Sequence, residues 1–265
     1  MSRPLLFGVL NVTPDSFSDG GRWPTVKEAV DAALRLADEG ADVIDVGGES
    51  TRPGAALVAS GEEAARVLPV VAALVRARPG LVVSVDTSRR AVAEPAFDAG
   101  ATILNDVRAL DELALRTWAA THGVTVVLMH RHGEPQTMMR HPMEGDVVDG
   151  VLLGLRKVVA RAREAGIAPS SIRVDPGLGF GKRSEDNPRL IAALPRLCAL
   201  GYPVLVGASR KRFVGDLSGV PTPSERAAGS VGAALAAVAG GAWALRVHDV
   251  AATRQALDVF LACRP

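Results

Sequence analysis

Short apolar runs alternate with longer amphipathic segments along the whole of this 265-residue chain. The runs predict strands at residues 5–10, 42–46, 81–85, 102–105, 124–129, 171–174, 203–206 and 243–247. The segments predict helices at residues 25–39, 60–77, 89–99, 111–121, 147–165, 185–200, 224–239 and 251–262. Eight strand–helix units predict a single-domain α/β fold over residues 1–265, a (β/α)8 TIM barrel with one helix after each strand. A doubly wound open sheet is the alternative.

Glycines at the predicted helix ends agree with this order. Five of them follow a helical segment and precede a strand, where a left-handed backbone costs glycine least: Gly40, Gly100, Gly123, Gly166 and Gly201. The turns after the strands are longer and more polar. Since TIM-barrel chemistry lies at the carboxyl ends of the strands, we expect the active face there.

Composition excludes several classes of protein. A chain with 48% hydrophobic and 22% charged residues suits one globular domain. A net charge of +1 gives no general attraction to nucleic acid or a membrane surface, so any anion site must be local. The amino end lacks an apolar signal core and no run is long enough to span a bilayer, which predicts a cytoplasmic location. We expect Cys198 and Cys263 to be buried, reduced thiols rather than disulfide or metal ligands.

Asp86, Asn105 and Asp175 stand at the predicted ends of the third, fourth and sixth strands. Two carboxylates and an amide converging on one pocket suit a flat heterocycle with an amidine-like edge, whose N–H groups meet carboxylate oxygens in pairs. The alternative is that each residue caps the helix that follows it.

A cationic set follows the last two strands, where many TIM barrels bind phosphate. Residues 209–212 read Ser-Arg-Lys-Arg, and Arg246 and His248 alternate on one side of an extended segment. We expect a diphosphate to bind there. For Arg210 and Arg212 a solvated basic turn remains the alternative.

Residues 11–21 form an unusually long first loop, which predicts a mobile lid. Asn11 at its base offers a neutral oxygen suited to Mg2+, an ion that takes few protein ligands besides substrate phosphates. Residues 47–54 place Arg52 and hydroxyl groups between glycines, which resembles an anion clamp.

Three other motifs associated with binding or catalysis are incomplete or absent in this sequence. Residues 177–182 resemble a P-loop, but Pro176 and Arg183 replace its required Gly and Ser or Thr, so no ATP-type site is expected. His130, His132 and His141 lack the spacing of a zinc site, and we interpret His130 as a pocket-lining or packing residue. A GxSxG nucleophile motif is absent.

Read together, eight segments from residue 8 to residue 249 resemble the dihydropteroate synthase family of folate biosynthesis: GVLNVTPDSFSDGG, DVGGESTRPGA, SVDTSRR, ILNDV, LMHRHGEPQTM, DPGLGFGK, VGASRKRFVG and RVHDV. The resemblance implies a transferase that joins 6-hydroxymethyl-7,8-dihydropterin diphosphate to p-aminobenzoate with Mg2+. It also implies a homodimer through outer-ring helices and a candidate sulfonamide target.

The resemblance assigns residues by substrate. The catalytic set would be Asp19, Lys211 and Asp86. The pterin would be held by Asp86, Asn105, Asp175 and Lys211, with Arg246 stacked on the ring. The diphosphate would be held by Asn11, Arg52, Arg246 and His248, with Asn11 also on the metal. p-Aminobenzoate would be framed by Phe17, Thr51, Pro53 and Arg212.

Two rival functions remain. A methyltetrahydrofolate-dependent methyltransferase domain shares the barrel and the pterin pocket but does not need a diphosphate site, so the segments TPDSFSDGG, ESTRPG, SRKR and RVHD favour the synthase. A non-catalytic pterin-binding paralogue would bind the ligand without releasing diphosphate.

Overall fold

The structure is a computed structural model that describes residues 3–13, 25–50, 58–134, 137–138 and 140–263. These residues form one sheet of eight parallel strands in the order β6-β5-β4-β3-β2-β1-β8-β7. The strands are β1 Leu5–Asn11, β2 Val43–Gly47, β3 Val82–Asp86, β4 Ile103–Asp106, β5 Thr125–Met129, β6 Ile172–Asp175, β7 Leu205–Val206 and β8 Ala244–Val247. An isolated parallel bridge between Val174 and Val204 joins the two edges, so the sheet is a nearly closed barrel. The predicted TIM barrel is confirmed.

Helices surround the strands. Within the described residues they are α1 Val26–Asp38, α2 Ser60–Ala77, α3 Arg90–Asp98, α4 Leu113–Thr121, α5 Val147–Glu164, α6 Asp186–Ala192, α7 Leu194–Cys198, α8 Arg212–Ser218, α9 Ala227–Ala239 and α10 Val250–Ala262. Short 3-10 turns lie at Pro169–Ser171 and Pro223–Glu225. Among the described residues, no helix has the length and apolar character that crossing a membrane requires.

The prediction of one helix after each strand is wrong at two places. After β6, the segment predicted as one helix divides at Ala193 into α6 and α7. Pro195 lies in the first turn of α7, where its missing N–H is tolerated, but it could not continue the hydrogen-bond ladder of α6. After β7, α8 precedes α9; its seven residues include Gly215 and it ends at Gly219 in left-handed backbone.

The barrel has two separate apolar cores. The inner core fills the lower barrel with side chains from alternate strand positions: Phe7, Val43, Ile103, Val127, Leu205 and Ala244. The outer core packs the opposite strand faces, such as Ile44 and Val83, against helix residues such as Val67 and Leu74. Strands buried on both faces explain why their sequences read as nearly continuous apolar runs.

The glycines at the helix ends match expectation, whereas the burial of the two cysteines does not. All five predicted cap glycines have positive φ: Gly40, Gly100, Gly123, Gly166 and Gly201. Both cysteines are free thiols, but Cys198 is only partly buried and Cys263 is exposed. The expectation of a buried Cys263 is wrong because this residue is the C-cap of α10, beyond the part of the helix that packs on the barrel.

Candidate active site

Polar residues end neighbouring strands on the carboxyl-end face of the barrel. Asp86 on β3 is in register with Asn105 on β4, and Asp175 ends β6. All three side chains are buried. The alternative that they cap the following helices is wrong, because the N-cap positions of α3, α4 and α6 belong to other residues: Arg89, Glu112 and Glu185. We call the group formed by Asp45, Asp86, Asn105, Asp175, Lys211 and Arg246 the barrel mouth.

Arg246 on β8 lies between two carboxylates of the barrel mouth. Its Nε donates to Asp45 Oδ2 at 2.6 Å, and its Nη2 donates to Asp86 Oδ2 at 2.8 Å. Asn105 Nδ2 donates to the same Asp45 oxygen at 3.1 Å. Sequence reasoning missed Asp45. Its signal was a charged residue inside the apolar strand β2, with its side chain completely buried.

Lys211 reaches the barrel mouth from the N-cap position of α8. Its Nζ donates to the backbone carbonyl of Leu178 and lies 4.9 Å from the centroid of the Phe180 ring. A cation over an aromatic face gains electrostatic stabilisation. The ammonium is therefore held across the gap between the loop after β6 and the loop after β7.

The buried charges shift one another's pKa values. Burial raises the pKa of Asp86 to about 7, and the neighbouring Asp45 carboxylate adds to this against the attraction of Arg246. Burial also raises the pKa of Asp175. Burial lowers the pKa of Lys211 to about 8, against the attraction of Asp175. For Arg246, burial is more than offset by Asp45 and Asp86, so its pKa is raised and it stays charged.

The basic residues after β7 divide into different environments. Arg210 is in left-handed backbone and forms an ion pair with Asp249, with Nε 3.0 Å from Oδ2. Arg212 has a side chain that is 75% exposed, and its Nε lies 3.5 Å from Asp216 Oδ2. Arg210 is thus tied to the start of α10, whereas Arg212 faces solvent at the start of α8. The basic run does not form a single cationic patch.

His248 is oriented by Ser209. The backbone N–H of His248 donates to Ser209 Oγ at 3.1 Å, and the same hydroxyl lies 3.0 Å from His248 Nδ1. If the hydroxyl donates to Nδ1, the ring proton is on Nε2, where it can be donated to an anion. This orientation connects the end of β7 with the end of β8.

Asn11 lies on the opposite side of Gly47 from β3. A Cβ built at Gly47 would lie 3.7 Å from Asn11 Oδ1 and 3.7 Å from Asp86 Oδ2. A side chain at this position would come between them, so Gly47 keeps the space open. Among the described residues there is no group of three or more His, Cys, Asp or Glu side chains that could hold a metal ion. The amide oxygen of Asn11 fits Mg2+, which needs few protein ligands when substrate phosphates supply the others.

Sequence reasoning also missed the role of Lys182. This lysine is only 1% exposed, and its Nζ donates to the carbonyls of Gly177 at 2.8 Å, Phe180 at 3.0 Å and His130 at 3.3 Å. It also lies 3.1 Å from His130 Nδ1. Burial lowers the pKa of Lys182 to about 7 and that of His130 to about 3. His130 is thus a packing residue, as predicted, and Lys182 holds the loop after β6 in place.

Several assigned residues lie outside the described part of the chain. They include the predicted lid and its glycines, together with Phe17, Asp19, Thr51, Arg52 and Pro53. Their assignments stay predictions. The described residues bring together Asp86, Asn105, Asp175, Lys211 and Arg246, with Asn11 and His248 on neighbouring strand ends.

The similarity of the chain to known proteins identifies the class of enzyme to which it belongs. The sequence matches the family described as "Pterin binding enzyme" over residues 7–248, which include every strand of the barrel mouth. The chain is therefore a pterin-binding TIM-barrel enzyme.

Individual relatives narrow the class. The chain is 45% identical over 259 residues to the dihydropteroate synthase of Escherichia coli (strain K12), covering 98% of this chain and 91% of the relative. A dihydropteroate synthase structure from Xanthomonas albilineans with 4-aminobenzoic acid superposes with a TM-score of 0.93 at 50% identity, covering 99% of this chain and 94% of that one. A structure of the enzyme from the same organism in complex with 7,8-dihydropteroate gives a TM-score of 0.90 at 47% identity, covering 99% and 95%. The chain belongs to the dihydropteroate synthase family, and its activity is that of a transferase in folate biosynthesis.

Proposed function

We propose that the barrel mouth binds 6-hydroxymethyl-7,8-dihydropterin diphosphate and transfers its pterin-methyl group to p-aminobenzoate, releasing 7,8-dihydropteroate and diphosphate. The observation that carries this proposal is the buried set of acceptors around Arg246 and Lys211. A pterin presents N–H donors along one edge and an oxygen beside them, which complements carboxylates on one side and an ammonium on the other.

The pterin contacts follow from hydrogen bonds already present. Asn105 donates its amide N–H to Asp45, so its carbonyl oxygen is the atom offered to ligand donors. Asp86 and Asp175 accept from the amino and ring N–H groups, and Lys211 donates to the ring oxygen. Arg246, held at the side of the pocket, stacks its guanidinium plane on the pterin ring.

The diphosphate lies beyond the pterin, against Asn11, Arg52, Arg246 and His248. Asn11 would hold Mg2+, an ion that takes few protein ligands when substrate phosphates are present. When bound, Mg2+ absorbs negative charge that develops on the departing diphosphate. Arg246 and His248 add fixed donors to the same leaving group, which favours its departure before full bond formation to the nucleophile.

p-Aminobenzoate is framed by Phe17, Thr51, Pro53 and Arg212 once the first two loops close. The exposed guanidinium of Arg212 is available for a carboxylate. The aniline nitrogen is unprotonated near neutral pH and needs positioning more than a strong base. Asp19 assists by stabilising the cationic pterin or by accepting the departing proton.

Assembly and location complete the proposal. We assign a homodimer formed through outer-ring helices, several of which carry an exposed apolar side chain: Leu113 on α4, Leu153 on α5, Leu217 on α8 and Val259 on α10. Sedimentation at micromolar concentration would show a dimer, and a monomer would contradict this part. We also assign the chain to the cytoplasm, where both free thiols would stay reduced.

The test is diphosphate release from purified protein given pterin diphosphate and Mg2+, with and without p-aminobenzoate, while dihydropteroate is followed by mass spectrometry. We expect sustained release only with p-aminobenzoate and none from the Asp86→Ala variant. Asp258→Ala, which removes an exposed carboxylate on α10, is the matched control and should keep full turnover. Tight pterin binding without product would instead indicate a non-catalytic binding protein.

A further inference from the structure

Asp45 is a buried carboxylate that none of the proposed substrate contacts uses. It lies at the middle position of β2, in register with Ser84 on β3, and Ser84 precedes Asp86 by two residues on the same strand. Since side chains two apart on a strand point to the same face, Asp45 lies one layer below Asp86 in the barrel. The carboxylate is thus beneath the ligand-facing layer.

The hydrogen bonds of Asp45 all go to residues that face the ligand. Its Oδ2 accepts from Arg246 Nε at 2.6 Å and from Asn105 Nδ2 at 3.1 Å. Its Oδ1 is buried and has no hydrogen-bond partner among the described residues. A carboxylate with one unpaired buried oxygen contributes little to the stability of the fold, because no hydrogen bond compensates for the burial of that oxygen.

Arg246 is held by both Asp45 and Asp86 before substrate arrives. The pterin proposed above takes up Asp86, since its N–H donors need the same oxygens. Arg246 would then lose one of its two counter-charges at the moment when it must lie flat against the ring. The contact with Asp45 is made through Nε and the exchange takes place at Nη2, so the Asp45 bond can remain while the neighbouring donor on the same edge of the guanidinium releases Asp86.

We propose that Asp45 is a positioning residue for the pterin site: it keeps Arg246 and Asn105 oriented from below, so that Asp86 can exchange its bond with Arg246 for bonds to the pterin. This inference rests on the proposed function. It assigns Asp45 no contact with substrate and no part in the bond-making step.

The test compares Asp45→Asn, Arg246→Ala and the double variant, with Ser84→Ala as the matched control. Ser84 occupies the same layer and its Oγ is also buried without a partner among the described residues, so its removal perturbs the layer without touching Arg246. Steady-state KM values for pterin diphosphate and p-aminobenzoate, kcat and ligand-free Tm are measured for each protein.

We expect Asp45→Asn to raise the KM for pterin diphosphate about tenfold, as when a charge-assisted hydrogen bond becomes a neutral one. The KM for p-aminobenzoate should change less than about twofold, and the Tm should stay close to that of wild type, because Arg246 keeps Asp86 as a counter-charge in the ligand-free protein. In the Arg246→Ala background, Asp45→Asn should raise the pterin KM clearly less than it does in the wild-type background, because the part of its effect that acts through Arg246 is already lost and only the part through Asn105 remains. Ser84→Ala should match wild type.

An equal effect of Asp45→Asn in both backgrounds would overturn the proposal, as would a fall in Tm with unchanged pterin KM. If Asp45→Asn does not fold, Arg246→Lys replaces it: lysine keeps the charge but lacks the planar guanidinium whose Nε and Nη2 hold Asp45 and Asp86 in fixed directions, so its pterin KM should approach that of Arg246→Ala. A value equal to wild type would also overturn the proposal. If the proposed function is wrong, the wild-type protein itself will release no diphosphate. That outcome is therefore distinguishable from a failure of the proposal for Asp45.

Discussion

The inner face of the barrel changes character halfway up. Its lower layer is mainly apolar, formed by Phe7, Val43, Ile103, Val127, Leu205 and Ala244, with Ser84 on β3 and Arg173 on β6 as polar members of the same face. Two positions higher on β2, β4 and β8, the same face carries Asp45, Asn105 and Arg246. On these strands the apolar and the polar residues lie on the same face, and they differ only in their height along the barrel. Position along a strand therefore separates residues that stabilise the barrel from residues that build the site.

The two layers should respond oppositely to substitution. Apolar side chains packed in the lower layer contribute to the free energy of unfolding, whereas the buried charges of the barrel mouth contribute little or reduce it. Retaining such charges makes sense only if a ligand uses them.

Truncation of the lower layer should give the largest loss of stability. Phe7 is fully buried and its ring meets Trp243 edge-on with centroids 5.9 Å apart. We expect Phe7→Ala to lower the free energy of unfolding by about 3–5 kcal/mol, measured by urea denaturation. The folded fraction should keep its KM for pterin diphosphate; a KM raised tenfold would show that the two layers are not separable.

Substitution of Lys182 should affect both the stability of the protein and its binding of the pterin. Lys182→Met would remove the side-chain donor from the carbonyls of Gly177, Phe180 and His130; the first two keep a backbone donor, from Phe180 and His132. We expect a loss of about 2–3 kcal/mol in unfolding free energy together with a higher pterin KM, because the loop that bears Leu178 loosens. Lys157→Met, which removes an exposed lysine on α5, is the control and should change neither quantity. A stable Lys182→Met protein with wild-type KM would show that the loop holds without this lysine.

Asp175 should show the pattern opposite to Phe7. Asp175→Asn keeps the shape and removes a buried charge, so we expect unfolding free energy within about 1 kcal/mol of wild type. Pterin affinity should fall about tenfold or more, since charge-assisted hydrogen bonds to the ligand are lost. Calorimetric titration with the pterin measures this. Unchanged affinity would remove Asp175 from the binding set.

The smallest effect concerns pH. In the proposed function, pterin binding needs Asp86 ionised and Lys211 protonated, and burial places their pKa values at about 7 and about 8. The kcat/KM for pterin diphosphate should therefore rise with pH through about 7, as Asp86 loses its proton, and fall above about 8, as Lys211 loses its own. A profile that keeps rising above pH 9 would exclude Lys211 from the basic limb. Phe7→Ala should leave the profile unchanged.

The sequence was enough to predict the barrel because each strand is a mainly apolar run and is followed by a segment with helical periodicity. They failed at α6 and α7 because Pro195 interrupts one amphipathic pattern, and at α8 because a seven-residue helix gives too short a period. For the site, strand ends located Asp86, Asn105 and Asp175. Asp45 was missed because it lies in the middle of β2 rather than at the end of the strand, and because its partner Arg246 is 201 residues away in the sequence.

The join between β6 and β7 has a consequence for ligand binding. These edges meet through the bridge from Val174 to Val204, with a hydrogen bond from Val174 N–H to the Pro203 carbonyl at 3.0 Å. Asp175 lies at the end of one edge strand and Lys211 beyond the end of the other. A pterin gripped by both would act as a cross-link between the edges. Amide hydrogen exchange at residues 204–206 should then slow on binding, because the ligand would complete a ring of strands that the backbone closes only weakly.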